Sequence, residues 1–116
     1  MAHYKLVVMS EPTEGQEDEY NRWYNDVHLP EVVAVGGFVS AQRFKLHTPM
    51  GGEFPHKYLS IYEVETDDPQ QVLDDLVAAA QSGTMALSSA LNVESPVVGL
   101  FEEVSPVVVA PARVSA

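Results

Sequence analysis

Residues 20–30 of the chain read Tyr-Asn-Arg-Trp-Tyr-Asn-Asp-Val-His-Leu-Pro. Aromatic and apolar side chains recur there at i, i+3, i+4 and i+7, namely Tyr20, Trp23, Tyr24 and Val27. This spacing is typical of one face of an amphipathic helix, and His28 extends the same face. Pro30 biases the preceding residue, Leu29, away from helical geometry. The stretch therefore predicts a helix from about Gly15 to Val27, followed by a histidine at a helix break.

Length and charge restrict the possible partners. The chain has 116 residues, which suits one domain, and it carries 17 acidic against 6 basic side chains. An acidic surface repels phosphate backbones, so we expect no nucleic-acid partner. The longest apolar runs are too short to span a bilayer, and no signal-peptide pattern is visible, so we expect no membrane association and a cytoplasmic location. The chain has no cysteine, which excludes disulfides and thiolate metal sites.

The remaining elements follow from periodicity and capping. The predicted strands are Tyr4–Met9, Phe38–His47, His56–Val64 and Ser95–Val104, and the further predicted helices are Glu31–Val35 and Pro69–Gln81. Asp68 is a good N-cap for the last helix. The order β-α-β-β-α-β predicts a ferredoxin-like α+β fold with a four-stranded antiparallel sheet. We expect one domain over residues 1–104 and a C-terminal arm or tail over residues 105–116.

Both faces of the predicted sheet are apolar. The first strand places Leu6 and Val8 on one face and Val7 and Met9 on the other. Since a sheet that is apolar on both faces is not left open to water, we expect its second face to meet a copy of itself in a twofold homodimer. Alternation in the second strand groups Phe38 with Phe44 and places Arg43 on the opposite face; which face meets the helices is left open.

Two stretches together resemble a known family. They are Asn21-Arg22-Trp23-Tyr24-Asn25-Asp26-Val27-His28-Leu29-Pro30-Glu31 and Gly37-Phe38-Val39-Ser40-Ala41-Gln42-Arg43-Phe44. A tyrosine, a His-x-Pro four residues on and a Gly-Phe at the next strand are similar to the EthD-like group of the dimeric α+β barrel superfamily. The resemblance implies two sheets packed across a dimer and a pocket in each subunit between sheet and helices.

The same resemblance assigns residues but no single reaction. His28 and Pro30 match the family's histidine and proline, and Tyr24 matches the aromatic residue one turn earlier. Relatives include polyketide cyclases, isomerases, cofactor-free monooxygenases, decarboxylases and haem-degrading enzymes, among which fold analogy cannot choose. The helix at Pro69–Gln81 contains no histidine to ligate iron, unlike the haem-degrading pattern.

His28 is the best catalytic candidate. A neutral imidazole, with a reference pKa of about 6.5, can take or give a proton near neutral pH, so His28 against aromatic walls can act as a general acid or base. The alternative is a helix-end histidine that caps a carbonyl or bonds Asp26 or Glu31. Tyr24, one turn away, is the candidate for orienting a ligand carbonyl through its hydroxyl.

Trp23 and Tyr20 lie on the same predicted helix face as His28. They are candidate substrate contacts, and the alternative is that aromatics at helical spacing are simply core. Arg43 would anchor a carboxylate or a developing enolate if its strand face meets the pocket. We favour the alternative for Arg43, which is a salt bridge at the surface or the dimer interface.

Tyr58 and Tyr62 share a predicted strand face with His56. They would form an aromatic pocket floor with hydroxyl groups, or else pack across strands. No metal site is expected, because Pro30 lies between His28 and Glu31 at the helix break. We likewise expect no cofactor.

The sequence therefore predicts a homodimer that binds a small apolar or aromatic molecule. The leading hypothesis is a cofactor-independent cyclase, isomerase, dehydratase or lyase that acts on a carbonyl compound and uses His28 as acid and base. The first alternative is a cofactor-free monooxygenase of an electron-rich aromatic compound. The second is a non-catalytic accessory protein that binds a hydrophobic ligand.

Overall fold

The computed structural model describes residues 1–112 of the chain. Its elements are β1 (Ala2–Ser10), α1 (Glu17–Trp23), a π-helical turn (Tyr24–His28), α2 (Leu29–Val33), β2 (Phe38–Lys45), β3 (Tyr58–Thr66), α3 (Pro69–Gln81) and β4 (Val97–Glu102). The sheet order is β2-β3-β1-β4, and every neighbouring pair is antiparallel. This is the ferredoxin-like α+β fold, so the predicted fold class is confirmed.

The bounds of α3 are those that the sequence predicts. The Asp68 carboxylate accepts a hydrogen bond of 3.1 Å from the backbone N–H of Gln71, and Pro69 occupies the first helical position. Both features belong to the local sequence, so packing elsewhere does not alter them. The third strand begins at Tyr58 and not at His56, and β4 is shorter at both ends than predicted.

The first helical layer contains no break at His28, so this part of the prediction is wrong. Leu29 has helical dihedral angles, φ −57° and ψ −48°, and its N–H donates to the carbonyl of Tyr24, five residues back. Proline in a regular helix lacks an N–H and clashes with the preceding turn. The wider π-helical turn gives Pro30 room, and α1 therefore continues into α2 without a break.

The core lies between the helices and one face of the sheet. Two clusters of buried side chains fill it, one of Tyr20, Trp23, Tyr24, Tyr58 and Ala90, and one of Leu6, Val32, Tyr62 and Met85. A β-bulge between Phe38 and Ser40 shifts the register of β2 against β3. Phe38 therefore packs on Tyr62, with ring centroids 6.0 Å apart, and it does not share a face with Phe44 as alternation predicts.

The opposite face of the sheet is uncovered in the single chain. Val7, Met9, Leu59 and Ile61 are half-buried there, and Phe44 and Phe101 are 44% and 61% exposed. The face is therefore largely apolar, as the sequence predicts. The homodimer that it suggests remains a proposal.

The predicted C-terminal arm begins after β4. Residues 105–112 form no helix or strand, and Val107, Val108 and Val109 are more than 80% exposed. Positions 113–116 of the predicted arm lie outside the described residues. Within residues 1–112, no helix has both the length and the apolar composition needed to cross a bilayer. The cytoplasmic location stays a prediction.

Candidate functional site

The His28 imidazole lies between two aromatic rings of the helical layer. It stacks on the Trp23 indole with centroids 4.7 Å apart and meets the Tyr24 ring edge-on at 5.0 Å. Burial lowers the pKa of His28 below its ordinary value of 6.5, and the negative charge of Glu31 opposes this shift. The ring is therefore neutral at neutral pH. Its Nδ1 atom is buried and has no hydrogen-bond partner among the described residues.

The chain between α3 and β4 crosses this side of the helical layer through Ala86. The Ala86 N–H donates to Glu31 Oε2 at 3.0 Å, and the Ala86 carbonyl accepts from Trp23 Nε1 at 2.8 Å. The backbone of Ala86 is thus bound on both sides by residues that flank His28. The other carboxylate oxygen, Glu31 Oε1, is buried without a partner in the described part of the chain.

Tyr24 connects this cluster to the sheet. Its side chain is buried and lies near Tyr62, which is 1% exposed. Burial raises the pKa of Tyr62 far above its ordinary value, and the neighbouring Tyr24 hydroxyl adds to the rise. The Tyr62 phenol therefore stays protonated at all physiological pH values and can serve as a hydrogen-bond donor.

Arg43 faces the helices and lies in an aromatic cage. Its guanidinium carbon lies 4.4 Å from the centre of the Tyr24 ring and slightly above 5 Å from two further rings, those of Tyr20 and Tyr58. Two amide oxygens accept from it, Asn25 Oδ1 at 2.7 Å and Asn21 Oδ1 at 3.0 Å. No carboxylate pairs with Arg43 among residues 1–112, so the favoured prediction of a salt bridge is wrong within the single chain.

Tyr20 and Tyr58 also serve the packing of the core. Tyr20 is fully buried, and its hydroxyl lies 2.6 Å from Ser10 Oγ. The hydroxyl of Tyr58 hydrogen-bonds to the Glu17 carboxylate and accepts from Asn21 Nδ2 at 3.2 Å. These contacts match the core-packing alternative, although both rings also line the Arg43 cage.

His56 does not join the tyrosines on the strand face. It precedes β3, and its two ring nitrogens meet Glu11, with Nδ1 3.2 Å from Oε1, and the carbonyl oxygen of Ser95. The predicted pocket floor therefore contains tyrosines but no histidine. His56 instead holds the chain after β1 close to the chain before β4.

A cavity lies away from His28, on another side of the sheet region. It has a volume of about 450 Å³ and opens between β1, β4 and the segment after β4, and its lining includes Tyr4, Val7, Phe101 and Pro106. The space between sheet and helices is filled by the aromatic rings described above. Within residues 1–112, no three metal-ligating side chains lie close enough together to hold an ion.

Sequence reasoning missed the part of four residues in this arrangement. Asn21 and Asn25 are one turn apart on α1 and the turn after it, a spacing that could have suggested a shared partner such as Arg43. The sequence interpretation treats Glu31 as a metal chelator or a partner of His28, and not as the acceptor of a backbone N–H. No sequence signal predicts the role of Ala86, because its contacts with Glu31 and Trp23 involve only its backbone.

Comparison with solved structures supports the fold. An EthD-like protein from Ralstonia eutropha matches with a TM-score of 0.58 and 17% identity, over 90% of this chain and 95% of that one. An EthD family protein from Bacillus halodurans matches at 0.57 and 18%, over 87% and 98%. The haem degrader MhuD from Mycobacterium tuberculosis, with two haems in its active site, matches at 0.57 and 20%, over 90% and 98%.

No protein-family model matches the sequence, and no curated protein matches it at a significant level. The chain therefore shares the ferredoxin-like α+β fold of EthD family proteins and related α+β proteins. At such low identities the likeness establishes the fold, and any function must be argued from the site.

Proposed function

We propose that the protein is a cofactor-independent enzyme that acts on a small apolar or aromatic carbonyl compound, with His28 as general acid and base. The observation that carries this proposal is a half-buried imidazole, neutral at neutral pH, whose buried Nδ1 atom has no partner within the described residues. Buried polar atoms normally have partners, and a catalytic role is one explanation for an exception. Aromatic rings on two sides of His28 suit a flat, apolar ligand.

The proposed first step is proton abstraction from the carbon next to the carbonyl. His28 takes the proton, and the electron pair of the broken C–H bond moves to the carbonyl oxygen to give an enolate. Return of the proton to another position completes an isomerisation. Loss of a hydroxide from the next carbon, protonated by the same imidazolium, completes a dehydration.

Two further residues would stabilise the enolate. Tyr24, whose ring centroid lies 5.0 Å from that of His28, would donate through its hydroxyl to the developing oxyanion. Arg43 lies against the same Tyr24 ring and has no carboxylate partner within residues 1–112, so its positive charge would stabilise the same oxyanion. The stack of Trp23 on His28 would form one wall of the ligand site, and Tyr20, Tyr58 and Tyr62 would fix the positions of Tyr24 and Arg43.

The second candidate is a non-catalytic ligand-binding protein. It is favoured by the cavity of about 450 Å³ between β1, β4 and the segment after β4, because a ligand bound there would lie away from His28. Oxygen consumption with an electron-rich aromatic substrate would instead indicate the cofactor-free monooxygenase.

The test is α-proton exchange in deuterium oxide. An enolisable aryl ketone, 1-tetralone, is incubated with the protein, and the loss of its α-proton signals is followed by NMR. We expect exchange above the buffer rate that His28→Gln abolishes, whereas His47→Gln, which changes an exposed loop histidine, leaves it unchanged. Equal exchange by both variants, with native far-UV spectra, would retire His28 as the base; binding without exchange would support the second candidate.

The homodimer belongs to the same proposal. The open sheet face combines half-buried Val7 and Ile61 with exposed Phe44 and Phe101, and burying such a face against a second copy is favourable. Two sheets packed in this way would give the dimeric α+β barrel that the sequence resemblance implies.

A further inference from the structure

Two buried polar atoms without partners belong to residues one helical turn apart. They are Nδ1 of His28 and Oε1 of Glu31, and neither has a hydrogen-bond partner among the described residues. Residues three apart on a helix share a face, and the charge of Glu31 acts on His28. The two side chains are nevertheless not paired with each other.

The chemistry of Glu31 Oε1 restricts which ligand group can pair with it. A carboxylate oxygen only accepts hydrogen bonds, so a ligand group that pairs with Oε1 must donate a hydrogen to it. A ketone or ether oxygen cannot donate. A hydroxyl or enol group can donate its hydrogen to Glu31 Oε1.

The position of Glu31 is fixed independently of any ligand. Its Oε2 atom accepts from the Ala86 N–H at 3.0 Å, which holds the carboxylate in place beside the Trp23–His28 stack. Oε1 of the same carboxylate is buried and has no partner among the described residues. A backbone contact therefore fixes the carboxylate, while its other oxygen stays available as an acceptor.

We propose that Glu31 is a substrate-binding residue, which together with His28 selects ligands that carry a hydroxyl or enol group. This inference rests on the proposed function, because it specifies the substrate class of that site. It narrows the class from apolar carbonyl compounds in general to hydroxylated or enolic ones.

The test compares two probes that differ in one hydrogen-bond donor. Binding of 2-naphthol and of 2-methoxynaphthalene is followed by quenching of Trp23, the single tryptophan of the chain, which stacks on His28. We expect the naphthol to bind at least about ten times more tightly, since a hydrogen bond to a charged group is lost with the ether. Glu31→Gln keeps an oxygen for the Ala86 N–H and presents an NH₂ donor in place of the acceptor, so the preference should fall by about that factor.

Asp26→Asn is the matched control, because it removes the same charge from an exposed residue in the π-helical turn that contains His28. It should leave the preference unchanged. Equal affinities of the two probes, or a preference that survives in Glu31→Gln, would overturn the role of Glu31 while the aromatic site stands. Failure of both probes to quench Trp23 would overturn the proposed aromatic site and the role of Glu31 with it.

Discussion

The imidazole of His28 stacks on the indole of Trp23, with ring centroids 4.7 Å apart and ring planes inclined by 20°. The stack forms where the π-helical turn ends, and it holds the ring inside the helical layer. Protonation of the ring in this position creates a positive charge that is less well solvated by water than in the unfolded chain. The packing of these two residues therefore makes the free energy of unfolding depend on the protonation of His28.

The first prediction follows from the sign of this dependence. Burial lowers the pKa of His28 in the folded state, so the unfolded chain binds the proton more readily between the two pKa values. The contribution of His28 to stability is thus complete above pH 6.5, the unfolded value, and is lost as the pH falls. In urea unfolding, the free energy of unfolding should be lower at about pH 5.5 than at about pH 7.5. This difference between the two pH values should be smaller in His28→Gln than in the parent protein. An equal decrease in both proteins would contradict the assigned shift.

The second prediction concerns the close approach of Gly37, the residue before β2, to Val72 of α3. Gly37 has φ +97°, and a Cβ atom added to it would lie 2.5 Å from Cγ2 of Val72. Gly37→Ala should therefore lower the free energy of unfolding by more than about 1 kcal/mol, through strain and overlap. Gly36→Ala is the control, since a Cβ there meets open space. Equal effects of the two substitutions in urea unfolding would show that the contact with Val72 is not tight.

The third prediction tests Tyr20 as a core residue. Its fully buried hydroxyl has Ser10 Oγ as its partner at 2.6 Å. Ser10→Ala should cost about 1–3 kcal/mol, because it leaves a buried hydroxyl without a partner. Tyr20→Phe should cost a similar amount, and the double variant less than the sum. Strict additivity in a double-mutant cycle would mean that the two hydroxyls do not interact.

The fourth prediction concerns the open face of the sheet. Phe101 is 61% exposed on this face, whereas Val77 is 52% exposed on α3. If the sheet faces pack together in a homodimer, Phe101→Glu should convert the dimer to a monomer in sedimentation velocity, because the interface would contain an unpaired charge. Val77→Glu should leave the dimer intact. A monomeric parent protein at micromolar concentration would refute the homodimer.

The fold was predictable where local chemistry dominates. The N-cap at Asp68 and the proline after it define the start of α3 without any knowledge of the tertiary structure. Regular alternation likewise marks β1 and β3. The bulge at Phe38 was not predictable, because an extra residue in β2 depends on how β2 meets β3.

For the candidate site, the sequence predicts which aromatic rings lie together but not their other contacts. The helical stripe from Tyr20 to His28 predicts the grouping of four rings that the structure shows, but Pro30 indicates a break at a point where the helix widens and continues. The cage around Arg43 and the contact of Glu31 with the Ala86 N–H join residues that are distant in sequence. Such pairs leave no periodic signal in the sequence.

The most direct measurement of the central claim is the titration of the His28 ring by NMR, with its Cε1–H signal assigned through His28→Gln. A buried imidazole that is neutral and ready to take a proton should titrate with a midpoint below 6.5. Glu31→Gln should lower that midpoint further, since it removes the charge that opposes the shift, and Asp26→Asn should change it less. A midpoint at or above 6.5 in the parent protein would contradict the buried, neutral base on which the proposed chemistry depends.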